Sequence, residues 1–398
     1  MIPNLDSLIG ISVYSTNFNG IGGKIRIKPE DFQVSELISE KAKKSIDDID
    51  GYAVYKLKKK RIDTNHALSD VFKKKGIRLK ALGLKDASAV TEQFVCAGNK
   101  GRGVDNFSTE KYSLEKLGHV KKPISKKDMI GNHFKIKISE CSDGLSSFED
   151  FEKTLNFYGY QRFGSKRPVT HLIGKAILQR DFKKAVELVL SFTSSYDSKE
   201  NTEIREKLLD PANYKKYLDE VPFQMDIERI VLSEMIEHGE PLKAIHAIPL
   251  SLRRFYIQAY QSYIFNQSLS SAFSDGENLF EAQVGDVCFD FKGIIGKYVK
   301  GMDQYLALPF VGYSYYKKTR FDYQISKILQ AEEIAPKDFF IKEMQEVSNE
   351  GGFRQAAIHC TDYSSHDDVV EFSLSRGSFA TILLREIMKP KNPMTAGF

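Results

Sequence analysis

An α+β architecture is what this sequence predicts, from three features. Apolar and polar residues alternate in short runs before about residue 140, apolar residues take helical spacing after about 168, and strand-like alternation returns near the C-terminus. At the start, Ile25-Arg26-Ile27 alternates, Pro29-Glu30-Asp31 interrupts, and Phe32-Gln33-Val34-Ser35-Glu36 resumes. This predicts two strands around a turn, with Phe32 and Val34 on one face. Asp63-Thr64-Asn65 offers N-cap chemistry for a helix carrying Ala67, Leu68, Val71 and Phe72, and Gly76 closes it. Leu82 to Leu84 reads as a short strand and Val90 to Ala97 as another, so Asp86 falls on the connection between two strands. Connections of that kind commonly display functional side chains.

Further along, Gly174 to Leu190 places Ile177, Leu178, Phe182, Ala185, Val186 and Val189 on one helical face. A polar stretch from Ser191 to Tyr217 follows and predicts a mobile connection or short surface helices. A second helix is predicted over Leu252 to Gln267, with Leu252, Phe255, Ala259 and Tyr263 on its face. Strand texture returns at Ala282 to Tyr313 and at Val369 to Leu374. Arg376-Gly377 then makes a turn, and Ser378 is placed to cap a last helix carrying Ile382, Leu383 and Ile387 before Pro390. No internal repeat is visible.

Composition narrows the class. A chain of 398 residues allows two or three domains and a core large enough to need no disulfide support. Its four cysteines, Cys96, Cys141, Cys288 and Cys360, form no CxxC pair, and its eight histidines form no HExxH. The sequence therefore gives no metal site, and the cysteines read as small apolar side chains. His359 and Cys360 are adjacent, but neighbours on a strand face opposite ways, so they make a poor catalytic pair. No run reaches the ~18 apolar residues of a membrane helix. The opening Met1-Ile2-Pro3-Asn4-Leu5-Asp6 lacks both parts of a secretory signal, so a cytoplasmic location is expected.

Charge is unevenly distributed. Residues 51–140 hold 21 Lys and Arg against 9 Asp and Glu, which hides within the whole-chain balance of +5. Runs such as Lys58-Lys59-Lys60-Arg61, Lys73-Lys74-Lys75 and Lys121-Lys122 read either as solvated faces or as contacts to a phosphate backbone. Their concentration in one segment favours nucleic acid.

Three local constellations carry chemistry. Gly83-Leu84-Lys85-Asp86-Ala87-Ser88 sets an acid among small residues. Asn156-Phe157-Tyr158-Gly159-Tyr160-Gln161-Arg162-Phe163-Gly164 combines an amide, a cation and four rings, a set suited to stacking bases and bonding their edges. Gly377-Ser378-Phe379-Ala380-Thr381 sets another ring at a strand-to-helix turn.

Together with Glu30-Asp31-Phe32-Gln33-Val34-Ser35-Glu36, these segments resemble the TruD family of tRNA pseudouridine synthases. That family carries EDFxVxE, GxKDxxAxTxQ, N[FY][FY]GxQRFG and GS[FY]ATxxxRE in this order. Here they span residues 30 to 386, nearly the whole chain. Arg253 to Asn266 adds a likeness to the archaeal and eukaryotic branch. The resemblance implies the pseudouridine synthase fold, a mainly antiparallel mixed sheet with helices and a central cleft, interrupted by a family-specific α/β insertion. On this chain it implies a catalytic domain at 1–167 plus 351–398 and an insertion at 168–350.

It also implies isomerisation of uridine to pseudouridine in tRNA, usually at position 13 of the D arm, with no metal or organic cofactor. Asp86 is the implied catalytic carboxylate, acting as nucleophile or general base on a flipped-out uridine. A carboxyl with an ordinary pKa near 3.9 is already ionised at pH 7 and needs no activating base. Carried over motif by motif, the implied substrate-binding residues are Phe32, Asn156, Tyr158 and Phe379, with Lys85 and Glu36 beside them. Tyr158 departs from the Phe common at its position, which adds a hydroxyl. The implied partner is tRNA, held by the basic segment and the cleft, with no membrane and no obligate protein partner. A non-catalytic RNA-binding protein and a different RNA enzyme, such as a nuclease, are the competing classes. The intact GxKD segment argues against the first, and the lack of clustered carboxylates against the second.

Overall fold

The computed structural model describes residues 1–48, 50–85, 87–315 and 319–398. Among them, one nine-stranded sheet organises the chain's two ends. In chain order its strands are β1 (Phe32–Ile38), β2 (Tyr52–Lys59), β3 (Leu79–Ala81), β4 (Val90–Ala97), β5 (Phe107–Ser108), β6 (Tyr112–Val120), β7 (Met129–Lys137), β8 (Cys360–His366) and β9 (Val369–Ser375). Their spatial order is β8-β9-β7-β1-β4-β2-β6-β5, with β3 on the end of β4. β1 and β4 run parallel. Pairs such as β9 with β7 and β7 with β1 are antiparallel, so the sheet is mixed and mainly antiparallel.

Alternation decides which face each strand buries. In β1 the inward row is Phe32, Val34, Glu36 and Ile38, and an acid in that row requires a partner inside. The helix α1 (Thr64–Lys75) packs Ala67 and Val71 against Tyr55, Leu57, Val95 and Leu114. It begins where the Asp63 carboxylate accepts from His66 N and ends at Gly76 in the left-handed conformation, as its sequence predicts.

The rest of the chain is helical around one long element. The helices α2 (Thr170–Leu178), α3 (Phe182–Ser191) and α4 (Leu250–Ser274) share a continuous core with the large sheet. A four-stranded sheet, ordered Ile295–Lys297, Val287–Asp290, Gln304–Phe310, Gly352–Gln355, lies alongside. The last helix, α5 (Ala380–Met388), is buried along its whole length.

Five local expectations change. Ile25-Arg26-Ile27 is not a strand; the strand is Gly22–Lys24, and Arg26 takes a positive φ of 60° that breaks the extended run. The strand expected at Leu82–Leu84 lies at Leu79–Ala81, because Gly83 and its neighbours form the turn that hydrogen-bonds inward. Gly174–Leu190 is two helices, parted at Arg180 (φ 60°), after which the Asp181 side chain caps α3 by accepting from Lys184 N. α4 outruns its expected span and is buried almost all round, with Tyr256, Ile257, Tyr260 and Ile264 deeper than Leu252, Phe255 and Tyr263 of the predicted face. Ser378 does not cap α5: the N-cap position is Phe379, which has no side chain to bond the helix end. The polar stretch from Ser191 onward forms short helices at Lys199–Lys207 and Tyr214–Tyr217.

Candidate active site

The connection between β3 and β4 is held from beneath by buried polar side chains. Thr64, at the start of α1, accepts from the Lys85 amide at 2.9 Å and donates its hydroxyl proton to Gln93 Oε1 at 2.8 Å. Gln93 in turn donates from Nε2 to the Gly83 carbonyl at 2.9 Å. Lys59 reaches in from β2 and donates to the carbonyls of Ile62 at 2.9 Å and Lys85 at 3.1 Å. Thr64, Gln93 and Lys59 are each only 1% exposed. Such bonds, removed from water, fix the backbone more firmly than exposed ones. Gly83 is needed for close approach, since a Cβ there would stand 3.3 Å from Glu36 Oε1 and 3.5 Å from the Met129 sulfur. Asp86, the expected catalytic carboxylate, lies outside the described residues.

Lys85 turns its ammonium inward. Nζ lies 3.2 Å from Glu36 Oε1 and 2.7 Å from Asn132 Oδ1. The other Glu36 oxygen accepts from Phe94 N at 3.0 Å. Burial pushes the Glu36 carboxyl above its ordinary value, and the Lys85 charge and the bond from Phe94 N oppose the rise. Asn132 on β7 pairs with Glu36 on one side and Leu374 of β9 on the other. The Lys85 ammonium is thereby anchored in the strand directly beside the one that leads to Phe379.

A second set of contacts gathers the mid-chain and C-terminal aromatics. Tyr158 is 9% exposed, with its ring centroid 6.0 Å from Phe379, 5.8 Å from Phe265 and 5.8 Å from Phe310. Its backbone is pinned to α4, where Asn266 Oδ1 accepts from Tyr158 N at 2.8 Å and Asn266 Nδ2 donates to Tyr158 O at 3.1 Å. Gly159 lets the two motifs touch, since a Cβ would meet Thr381 Oγ1 at 3.1 Å. Asn156 bonds within the protein: Oδ1 accepts from Arg354 Nη2 at 2.8 Å and Nδ2 donates to the Gln355 carbonyl at 3.2 Å. Phe32 is buried, with the Arg26 guanidinium carbon 4.1 Å from its ring centroid and Phe134 edge-on at 6.2 Å.

The structure thus links Glu36 with Lys85, and Asn156, Tyr158 and Phe379 through Arg354 and ring contacts, while Phe32 stands at the far end of β1 from Glu36. Sequence reasoning gave no place at the site to Arg354, Asn132, Gln93 or Asn266, and read Thr64 only as part of a helix cap and Lys59 only as part of a basic run. Gln93 stands in the GxKDxxAxTxQ segment, and its inward phase in β4 was a usable signal. Arg354 had none, because Gly352–Gln355 shows no pattern of its own. Arg385 and Glu386, also motif residues, serve the fold: Arg385 pairs with Asp6 at 2.6 Å, and Glu386 accepts from the amides of Ser15 and Thr16 at 3.1 Å. Among the described residues, no three His, Cys, Asp or Glu side chains gather as a metal site would require, and no helix is long and apolar enough to cross a membrane.

The family model described as tRNA pseudouridine synthase D (TruD) matches residues 8–387. The chain is 31% identical to a protein of Archaeoglobus fulgidus named "Probable tRNA pseudouridine synthase D", over 97% of this chain and 99% of that one. It is 31% identical to a protein of the same name from Pyrobaculum neutrophilum, over 100% and 99%. The crystal structure of a Methanosarcina mazei protein named "Putative tRNA pseudouridine synthase D (TruD)" superposes with a TM-score of 0.82 at 27% identity, covering 99% of each chain. This chain belongs to the tRNA pseudouridine synthase D family.

Proposed function

We propose that this protein isomerises uridine to pseudouridine in tRNA, at position 13 in the D arm, with Asp86 as the catalytic carboxylate. The observation that carries this reading is that the four motifs meet in pairs, the first with the second and the third with the fourth, on and beside the neighbouring strands β1, β7 and β9. Glu36 of the EDFxVxE strand holds Lys85 of the GxKD loop. Tyr158 of the mid-chain motif meets Phe379 of the C-terminal one. Asn132 connects the two halves by standing between Glu36 and Leu374.

The reaction breaks the bond from the sugar C1′ to uracil N1 and forms one from C1′ to C5; N1 gains a proton and C5 loses one, so nothing is oxidised or reduced. Asp86 acts on the sugar or the ring as nucleophile or general base. The target nucleotide must leave its stack, at a cost of a few kcal/mol that stacking in the pocket offsets. Phe379 supplies that stacking with Tyr158 packed behind it, Phe32 bounds the site from β1, and Asn156 shapes it through Arg354. Lys85 and Glu36 set the loop's position. Residues 1–167 plus 351–398 form the catalytic unit and 168–350 the insertion. Pairing of Gly352–Gln355 with Gln304–Phe310 joins them. The basic segment 51–140 tracks the tRNA backbone.

The test is chemical mapping of pseudouridine in unmodified tRNA transcripts incubated with wild type and Asp86→Asn, without added metal or cofactor. Pseudouridine in the D arm with wild type, together with tRNA binding but no product from Asp86→Asn, is the expected result. Product from Asp86→Asn removes the carboxylate assignment. Tight binding without product from wild type moves the reading to an RNA-binding protein.

A further inference from the structure

Two guanidinium groups flank the Tyr158 ring. The Arg354 carbon is 4.0 Å from its centroid and the Arg162 carbon 5.2 Å, so the two charges are no farther apart than these distances together. Neither reaches a carboxylate among the described residues. Arg354 donates from Nη2 to Asn156 Oδ1 at 2.8 Å and from Nε and Nη2 to the Asn156 carbonyl at 3.3 Å. Arg162 has Gln258 Oε1 at 3.5 Å and the Phe255 ring at 5.2 Å. All these partners are neutral.

Four other arginines withdrawn from solvent in this chain are treated differently. Arg385 holds Asp6 and Glu386, Arg205 holds Asp197 and Glu228, Arg320 holds Glu277 and Asp286, and Arg253 holds Glu346. Taking a cation out of water without a counter-charge is costly, and two adjacent cations repel. Burial accordingly lowers the pKa of both Arg354 and Arg162. The arrangement lacks one negative charge, and it lacks it beside the aromatic group that the proposed function assigns to the target base. Arg354 Nη1 lies 3.7 Å from the place a Cβ would take on Gly377, so this edge faces the turn that carries Phe379.

We propose that Arg354 and Arg162 form a binding site for one phosphodiester of the RNA backbone, adjacent to the target uridine. This inference rests on the tRNA isomerase reading. A guanidinium fork matches phosphate geometry and keeps its charge when buried. A phosphate contact at this point sets the register of the extruded nucleotide without reading its base. Binding of the phosphate supplies the missing counter-charge, and the neutral amides of Asn156 and Gln258 leave the guanidinium charges available to it.

The test is a cycle between protein and RNA. Transcripts carrying a single uncharged methylphosphonate at each phosphate flanking the target uridine are bound by wild type, Arg354→Gln and Arg162→Gln, each first shown to fold by its thermal melt. Arg354→Gln should weaken binding of normal tRNA by about 10- to 100-fold and reduce the slope of log affinity on log salt by about one. One methylphosphonate should weaken wild type by a similar factor and cost the variant nothing further. If every methylphosphonate costs wild type and both variants equally, or the salt slope does not change, the phosphate site is wrong. Should Arg354→Gln fail to fold, the Arg162→Gln cycle decides alone. Wild type that makes pseudouridine while the cycle stays additive overturns only this inference; wild type that makes none overturns the isomerase reading on which it rests.

Discussion

Lys85 and Glu36, 49 residues apart, meet with Nζ 3.2 Å from Oε1 and side-chain exposures of 9% and 0%. A pair this buried is held in place less by its own attraction than by the cost of separating it, since removing one partner leaves the other charged and dry. Lys85→Met should therefore destabilise the protein by about 3 kcal/mol or more near neutral pH. The loss depends on pH in a definite direction. Glu36 already has a raised carboxyl pKa, and without Lys85 the rise grows. A folded-state pKa above the unfolded value gives stability that is present below the unfolded pKa and lost as pH rises through the folded one. Lys85→Met should thus be nearer to wild type at pH 4.5 than at pH 8, and adding Glu36→Gln should recover stability at pH 8. Urea midpoints at both pH values check this; equal deficits at the two would show that Glu36 is not the group left exposed to the penalty.

Thr64 acts on the same loop from below. Its hydroxyl accepts from Lys85 N and donates to Gln93, so Thr64→Val, close in shape, removes both bonds while keeping the packing. The residue after Lys85 is the proposed catalytic acid, and small misplacement of a catalytic group is expensive in rate. Single-turnover assays should show a fall in rate of about 10- to 100-fold with tRNA affinity unchanged, and Thr64→Ser should recover most of it. Wild-type turnover by Thr64→Val would mean that the loop is positioned by something else.

The strands β1 and β4 and the helix α1 follow from alternation and caps, because those signals are local and agree with the fold. The four motif segments could be read as a group, and in the structure the first meets the second and the third meets the fourth. Arg354 could not be found, since its importance lies in what packs around it: Asn156 and Tyr158, nearly two hundred residues earlier, and Phe379. Lys59 was equally hidden, as one of four basic residues in a row that looked solvated and yet 1% exposed. The span of α4 was underestimated for a related reason: a helix buried on nearly every side shows little amphipathic contrast to read.

The chain's ends are tied by Arg385 and Asp6, both completely buried, with Nε 2.6 Å from Oδ2. Arg385 also reaches Glu386 at 3.1 Å and the Val13 carbonyl at 3.0 Å, and Asp6 accepts from the Tyr160 hydroxyl at 2.6 Å. Removing the cation strands two acids, whereas neutralising Asp6 leaves Arg385 its second acid. Arg385→Met should therefore cost at least 3–5 kcal/mol and Asp6→Asn less. Thermal or urea unfolding of the two variants gives the order, and a larger loss from Asp6→Asn would contradict the network drawn here.

His171 supplies the clearest acid sensitivity. It is 2% exposed, stacked on Tyr263 with centroids 5.0 Å apart and edge-on to Phe163 at 5.3 Å. Burial holds its pKa down to about 4, against an ordinary 6.5. Between those values the unfolded chain takes up a proton that the folded one refuses, so stability is complete above the unfolded pKa and declines as pH falls toward the folded one. The two values correspond to a loss of about 3 kcal/mol across that window, at 1.36 kcal/mol per pH unit. His171→Phe keeps an aromatic ring in the stack and removes the titration, so its stability should fall less than that of wild type between pH 7 and pH 4. The difference between the two proteins cancels the carboxylates they share, which makes it the quantity to measure by urea unfolding. Parallel curves for both would assign the acid loss to other groups and leave His171 a neutral packing residue at every pH tested.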